Sequence, residues 1–356
     1  MNEEHKKENS PEVLTIDLKE EINTSQANRK NFGYGAFSKI YHELEIDDFF
    51  NNRQRSLDVS YSLNNIVKLL VFSRIINPCS KKKTFESKEL FFKNSNFSLV
   101  DIYRALSHIN KFKDALQLFI YEHITQQYGR NTNIVYYDVT NYYFEIDDQD
   151  NLRRKGVSKE HRKDPIVQMG LLMDTLGIPI AYKLFSGNEN DCTTLIPVLK
   201  EIRRNFNLGR LVIVADKGLN YDKRAKAERE ATIRKAREFI KSPSKYNNAI
   251  SYGSAKYIKN LKIDKETGEI VDKKVILESD EKKLKEEEKY DGYYAIVTSE
   301  WKESDDRIIE IYRGLWKIEE SFKIAKSDLE ARPVYVSRED RIQSHFLICF
   351  ISLVIT

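Results

Sequence analysis

The chain has 356 residues, 40% of them hydrophobic and 32% charged, and its 59 lysines and arginines against 55 aspartates and glutamates leave a net charge of +4. That length suits two or three folding units, the apolar fraction suffices for a buried core, and partners must be sought in local patches rather than in the total charge. Three cysteines without CxxC spacing (Cys79, Cys192, Cys349) argue against a disulfide framework or a zinc site, the charged start MNEEHKKENSPEV lacks a secretory h-region, and the most apolar stretch, HFLICFISLVIT at 345–356, is shorter than the ~20 residues that cross a bilayer, so the expectation is a cytoplasmic protein.

Residues 1–30 are polar and without periodicity, which predicts a mobile tail. From 31 to 130 the pattern is helical. SLNNIVKLLVFSRII sets Ile66, Leu69, Leu70 and Ile76 on adjoining faces and is stopped by Pro78, and SLVDIYRALSHINKFKDALQLFIYEHI repeats the spacing with Ile102, Leu106, Ile109, Leu116 and Ile120. An all-helical N-terminal domain is expected here.

The period changes at Asn133. IVYYDV, IVQMGLLMD and IPIAYKLFSG read as strands, with Asp174-Thr-Leu-Gly177 as a hairpin turn between the second and third. TTLIPVLKEIRRNF follows as an amphipathic helix, and LVIVADKG (211–218) as a fourth strand, apolar enough to be buried on both faces. These elements predict a mixed α/β sheet in a domain spanning 131–356. An insertion at about 220–290 holds the charged helix YDKRAKAEREATIRKAREFIKSPSKY and strands around a Thr-Gly turn; KYDGYYAIVTS then returns to a strand pattern, and a long helix is expected from about Asp305 to Leu329.

A carboxylate in a buried strand costs several kcal/mol unless it is paired, hydrogen-bonded or metal-bound, and two strands end on one: Asp138 in YYDVTNYY and Asp216 in VIVADKG. Each alone is equally a turn former or helix cap. A third acid, Glu319 in IYRGLWKIEESFKIAKSDLE, shares a helical face with Tyr312, Leu315, Lys323 and Lys326, although a Glu319–Lys323 pair on a solvated face accounts for that spacing too. Thr140 and Asn141 would orient Asp138 or simply be polar residues at a strand end.

Together these segments resemble the three catalytic segments of DDE-type insertion-sequence transposases, in particular the insertion-sequence-4-like families with a ribonuclease H-like core. The resemblance runs from about Tyr34 onward and includes DPIVQMG and SGNEND. It implies that Asp138, Asp216 and Glu319 form the catalytic, metal-binding triad, holding two Mg²⁺ ions for which Mn²⁺ substitutes. The family's helix signature is Tyr, Arg three on, Glu four further and Lys seven beyond; Tyr312, Glu319 and Lys326 fit it, whereas Leu315 stands at the Arg place with Arg313 two residues earlier. Three acids without His or Cys suit hard Mg²⁺ rather than zinc.

DNA contacts are expected from Tyr312, Arg313, Lys323 and Lys326, and from Arg224, Arg234, Lys235 and Arg237 on the charged helix, since phosphate neutralisation supplies most of such affinity; a basic helix that is merely solvated remains the alternative. RRKGVSKEHRKDP (153–165) is a second basic loop. The resemblance implies a bacterial, nucleoid-associated enzyme that acts as a homodimer on the inverted repeats of double-stranded DNA and on target DNA, by strand cleavage and transfer. Two departures, a short run from VADKGLN to the basic helix and an apolar helix that stops at Thr356 without packing partners, suggest a shortened copy, so an inactive remnant that only binds DNA is the alternative.

Overall fold

The structure, a computed structural model, describes residues 30–91, 96–156, 163–189, 194–195, 197–198, 200, 206, 212–215, 223–241, 258–262, 275–282, 285 and 296–356. Contacts divide the chain into two compact units. One comprises the residues up to Leu116 with Asp328–Ala331 and Tyr335–Thr356; the other comprises Gln117–Ser327 and Arg332–Val334.

The first unit is helical. Its elements are α1 (Tyr34–Glu43), α2 (Ile46–Gln54), α3 (Leu63–Ile76), α4 (Lys81–Glu86), α5 (Leu99–Lys111) and the start of α6 (Lys113–Tyr128). Serines begin three of them: Ser62 and Ser80 accept the N–H of Asn65 and Lys83, and Ser98 exchanges bonds with Asp101 in a capping box, satisfying donors that a first turn leaves orphaned. α3 is buried over most of its circumference, from Leu63 through Arg74 with only Asn65 and Lys68 partly open, as befits a central helix.

The last helix, α10 (Glu339–Ile355), packs on α3 and α5, with Ile342, Phe346, Leu347, Ile348 and Ile351 fully buried. The expectation that this apolar helix lacks packing partners is therefore corrected. Its Ser344 hydroxyl donates to the Leu106 carbonyl, and His345 Nε2 donates to the Ala331 carbonyl at 2.9 Å. Lys81 Nζ donates to His345 Nδ1 at 3.2 Å, and Arg74 donates to the carbonyls of Leu329 and Glu330 at 3.2 and 3.1 Å.

The second unit is built on a four-stranded mixed sheet of order β3-β2-β1-β4, from β1 (Ile134–Tyr143), β2 (Ile166–Met173), β3 (Pro179–Ser186) and β4 (Val212–Ala215). β1 is antiparallel to β2 and parallel to β4, and β2 is antiparallel to β3. All eight residues of β2 are buried, in keeping with a sequence that is apolar but for Gln168, whose amide donates to the Glu189 carbonyl. The turn into β3 is the expected hairpin at Asp174–Gly177, with Gly177 at φ +90°, a conformation that only glycine adopts without strain.

Alternation along β1 sorts the sheet into two faces. Val135, Tyr137 and Val139 join Leu172, Ala181 and Phe185 in an apolar cluster covered by Leu118 and Tyr121 of α6 and by Leu195, Val198 and Phe206. Of the described residues of the expected helix here, Thr194, Leu195, Pro197, Val198 and Lys200 are helical and Phe206, at its expected end, lies in a bend. Tyr136, Asp138, Thr140 and Tyr142 belong to the opposite face.

In the insertion, α7 (Lys223–Lys241) contacts β6 (Val275–Ser279), which pairs with β5 (Ile258–Lys262) in a separate antiparallel sheet. The Thr-Gly turn expected between these strands lies outside the described residues. Of the KYDGYYAIVTS strand expected after them, only Ile296–Ser299 are described, and they are irregular, with Val297 89% exposed and so without the burial that a strand in the sheet would have.

The long helix expected over Asp305–Leu329 is in three pieces: α8 (Asp305–Arg313), α9 (Trp316–Lys323) and a π-helical turn at Ile324–Asp328. The first break coincides with a long-range contact. Tyr136 Oη donates to the Ile311 carbonyl at 3.1 Å, and the Leu315 N–H bonds Tyr312 instead, at 3.1 Å. Lys317 and Ile318 likewise bond three residues back, to Gly314 and Leu315, so the chain tightens past the tyrosine.

Candidate active site

Asp138 lies mid-strand in β1, half-buried, opposite Leu171 of β2, and its Oδ1 accepts the Val139 N–H at 2.7 Å. Thr140 shares its face and Asn141 points to the other side of the sheet by alternation; both are buried. The last pair described between β1 and β4 is Tyr137 with Ala215, one residue short of Asp138 on one strand and of Asp216 on the other. Asp216 lies outside the described residues.

Glu319 occupies the first turn of α9 and is exposed. Beside it Leu315, Ile318, Phe322 and Ala325 form a buried seam, the apolar stripe by which an amphipathic helix packs. α9 contacts β1, and two anchors fix the direction in which the segment runs. At one end Tyr136 bonds Ile311 and lies so close to Gly314 that a Cβ there would stand 1.9 Å from the tyrosine hydroxyl. At the other end Lys326 Nζ stands 5.5 Å over the Tyr142 ring.

Six residues of strand cover about 20 Å at ~3.4 Å each, and the fifteen from Ile311 to Lys326 about 22 Å at ~1.5 Å each. The segment therefore runs along β1 on the face that carries Asp138. Measured from the Tyr136 anchor, Asp138 lies about 7 Å along the strand and Glu319 about 12 Å along the helix, an offset of roughly one helical turn.

The other expected contacts fall at several places. Tyr312 is half-buried and Arg313 exposed, whereas Leu315, at the Arg place of the signature, belongs to the buried seam. Lys323 pairs with Glu320 at 3.1 Å rather than with Glu319, because the three-residue spacing brings Glu320 alongside. On α7, Arg234, Lys235 and Arg237 are exposed around the buried Ala236; Arg224 is in the same helix. In the second basic loop, Arg153 is already bound by Asp150 at 2.6 Å and stacked on Phe144, so its charge is largely compensated; 157–162 lie outside the described residues.

Among the described residues no three His, Cys, Asp or Glu side chains come together as a metal site. Glu319 and Asp138 offer hard carboxylate oxygens without sulfur or imidazole beside them, a donor set of the kind Mg²⁺ prefers. Sequence reasoning missed the anchors. The glycine in YRGLWK was the available signal, since a glycine inside a helical pattern points to a close backbone approach. Burial holds the Tyr136 phenol above its ordinary pKa, with Glu310 adding to the rise against Arg307, so it remains a donor.

The profile of the transposase DDE domain family matches residues 145–355, a span that includes Asp216 and Glu319 and begins just after β1, leaving Asp138 outside it. No curated protein matches the chain. Two solved structures have low similarity to it: a Mos1 transposase paired-end complex with left transposon end (13% identity, 72% of this chain and 76% of that chain, TM-score 0.18) and a pre-cleavage Mos1 transpososome (12% identity, 76% and 80%, TM-score 0.18). The family profile alone therefore carries the assignment.

Proposed function

The chain belongs to the transposase DDE domain family, and from that premise we propose that it is an insertion-sequence transposase of the insertion-sequence-4-like kind, with a ribonuclease H-like core, that cleaves and joins DNA through Asp138, Asp216 and Glu319. One observation carries the reading: the segment bearing Glu319 runs along the face of β1 that bears Asp138, anchored at both ends. The parallel β1–β4 register supports the third member, because one further pair in that register would set Asp216 beside Asp138.

Cleavage and joining of a phosphodiester require an activated water or 3′-hydroxyl, relief of charge at phosphorus, and neutralisation of the leaving oxyanion. Two Mg²⁺ ions held by the three carboxylates would supply all of these when bound. Asp138 contributes an oxygen backed by apolar strand neighbours. Glu319, on the solvent side of its seam, offers another toward the substrate. Lys326 and Arg313 hold the phosphates of the scissile strand and Tyr312 lines its path, while Arg234, Lys235 and Arg237 engage flanking duplex. In this proposal the active assembly is a homodimer bridging the two inverted repeats of a bacterial element.

The test is nicking of double-stranded DNA that carries the element's own ends, in Mg²⁺ or Mn²⁺. Asp138→Asn, Asp216→Asn and Glu319→Gln are each expected to abolish nicking while leaving DNA affinity within a few-fold. Equal cutting by Asp138→Asn would remove the triad. DNA binding that persists in chelator, with no cleavage under any metal, would instead identify a remnant that only binds.

A further inference from the structure

We propose that the β2–β3 hairpin turn positions the acid-bearing helix α9, and that Lys317 is the residue through which it acts. The inference rests on the transposase reading given above. Lys317 lies two residues before Glu319, and its Nζ donates to the Thr175 carbonyl in that turn. Its stem also lies over Gly177, with Cδ 3.6 Å and Cβ 3.7 Å from where a side chain there would begin. Two separate features of the turn, a carbonyl and a bare glycine, thus meet one lysine.

The turn itself is held at several points. Asp174 Oδ1 accepts the N–H groups of Leu176 and Ile178 at 2.9 Å each, and its backbone exchanges bonds with Ile178 and Gly177. Its Oδ2 lies 3.1 Å from Arg130 Nε, with both side chains essentially inaccessible, and Arg130 Nη2 donates to the Pro179 carbonyl at 3.0 Å. Among the described residues neither Arg130 Nε nor Asp174 Oδ2 has a hydrogen-bond partner, so the pair is held by charge, and removing either side would strand the other in the interior. The Thr175 carbonyl is therefore a rigid post.

What that post sets is the rotation of α9. At a helix radius of about 5–6 Å including side chains, a turn of ~20° moves a carboxylate by about 2 Å, comparable to a whole Mg–oxygen distance of ~2.0–2.1 Å. The Tyr136 and Lys326 anchors fix the ends of the segment. Lys317 fixes its rotation at the first turn, where Glu319 projects.

Lys317→Ala is expected to lower kcat for nicking about 10- to 100-fold, with KM for DNA, the salt dependence of affinity and the melting temperature unchanged. Amide exchange over 316–328 should rise several-fold. Lys317→Arg, which keeps the donor, should restore most of the rate. Gly177→Ala, which forces a side chain onto the φ +90° position, should reproduce the loss, and the double variant should be no worse than the worse single one. Full kcat with unchanged exchange in Lys317→Ala overturns the proposal. Weaker binding with a salt slope reduced by about one does so too, because it makes the lysine a phosphate contact. If the parent cleaves nothing with any divalent ion, the transposase reading fails by itself, and the exchange measurement then decides the positioning role.

Discussion

Replacing Gly314 by alanine separates helix propensity from packing. In a helix interior the change should stabilise, by about 0.8–1 kcal/mol, and Gly314 has ordinary right-handed dihedrals (φ −59°, ψ −14°) that alanine adopts freely. The added Cβ would, however, stand 1.9 Å from Tyr136 Oη, 2.4 Å from Cζ and 2.9 Å from Cε1. The buried ring must move, which forfeits its bond to Ile311, worth about 1 kcal/mol, and strains a packed site by about 1–3 kcal/mol. Against the propensity gain, a net loss of about 1–3 kcal/mol is expected. Urea unfolding followed by far-ultraviolet circular dichroism gives the change in stability, since both tryptophans, Trp301 and Trp316, are already exposed in the folded chain. In a Tyr136→Ala background the same substitution should turn neutral or stabilising. A stabilising Gly314→Ala in the parent would refute the close approach and, with it, the contact placed at the break between α8 and α9.

The buried Arg130–Asp174 pair predicts that Asp174→Ala alone destabilises by about 3–5 kcal/mol, whereas replacing both residues by apolar ones of similar size costs far less; urea midpoints of the three variants check this. Burial, with Arg74 beside it, lowers the Lys81 pKa from 10.5 to about 7, and the Cys349 and Cys79 thiols oppose the fall only weakly. Between these two values the unfolded chain binds the proton that the folded chain has lost, so stability should rise with pH from about 7 to about 10.5, by on the order of 4–5 kcal/mol; melting temperatures of Lys81→Met should show a much flatter rise over that window. On α7, changing Arg234 and Arg237 together to alanine should weaken DNA binding irrespective of sequence and lower the slope of log affinity against log salt by about two.

What could be read from the sequence followed the reach of each signal. Short runs rich in β-branched and aromatic residues placed β1, β2 and β3, and the Asp-Thr-Leu-Gly spacing placed the hairpin between the last two, because strand propensity and turn chemistry are local properties. Periodicity put Tyr312, Leu315, Glu319, Phe322 and Lys326 along one face, whereas Leu315 and Phe322 join Ile318 and Ala325 in a buried seam and Glu319 stays exposed beside it. Periodicity fails where a distant residue intrudes. Tyr136, 175 positions away from Ile311, captures that carbonyl and cuts an otherwise continuous helical pattern in two. Lys323 turns to Glu320 because both three- and four-residue spacings bring helical side chains together, and the pattern alone does not choose between them. The same limit applies to the apolar end of the chain, whose composition requires burial while its partners, α3 and α5, begin more than two hundred residues earlier. In each case the local rule held and a long-range contact chose among its outcomes. A glycine such as Gly314 or Gly177, at the point of such a contact, is where a sequence reading should look for one.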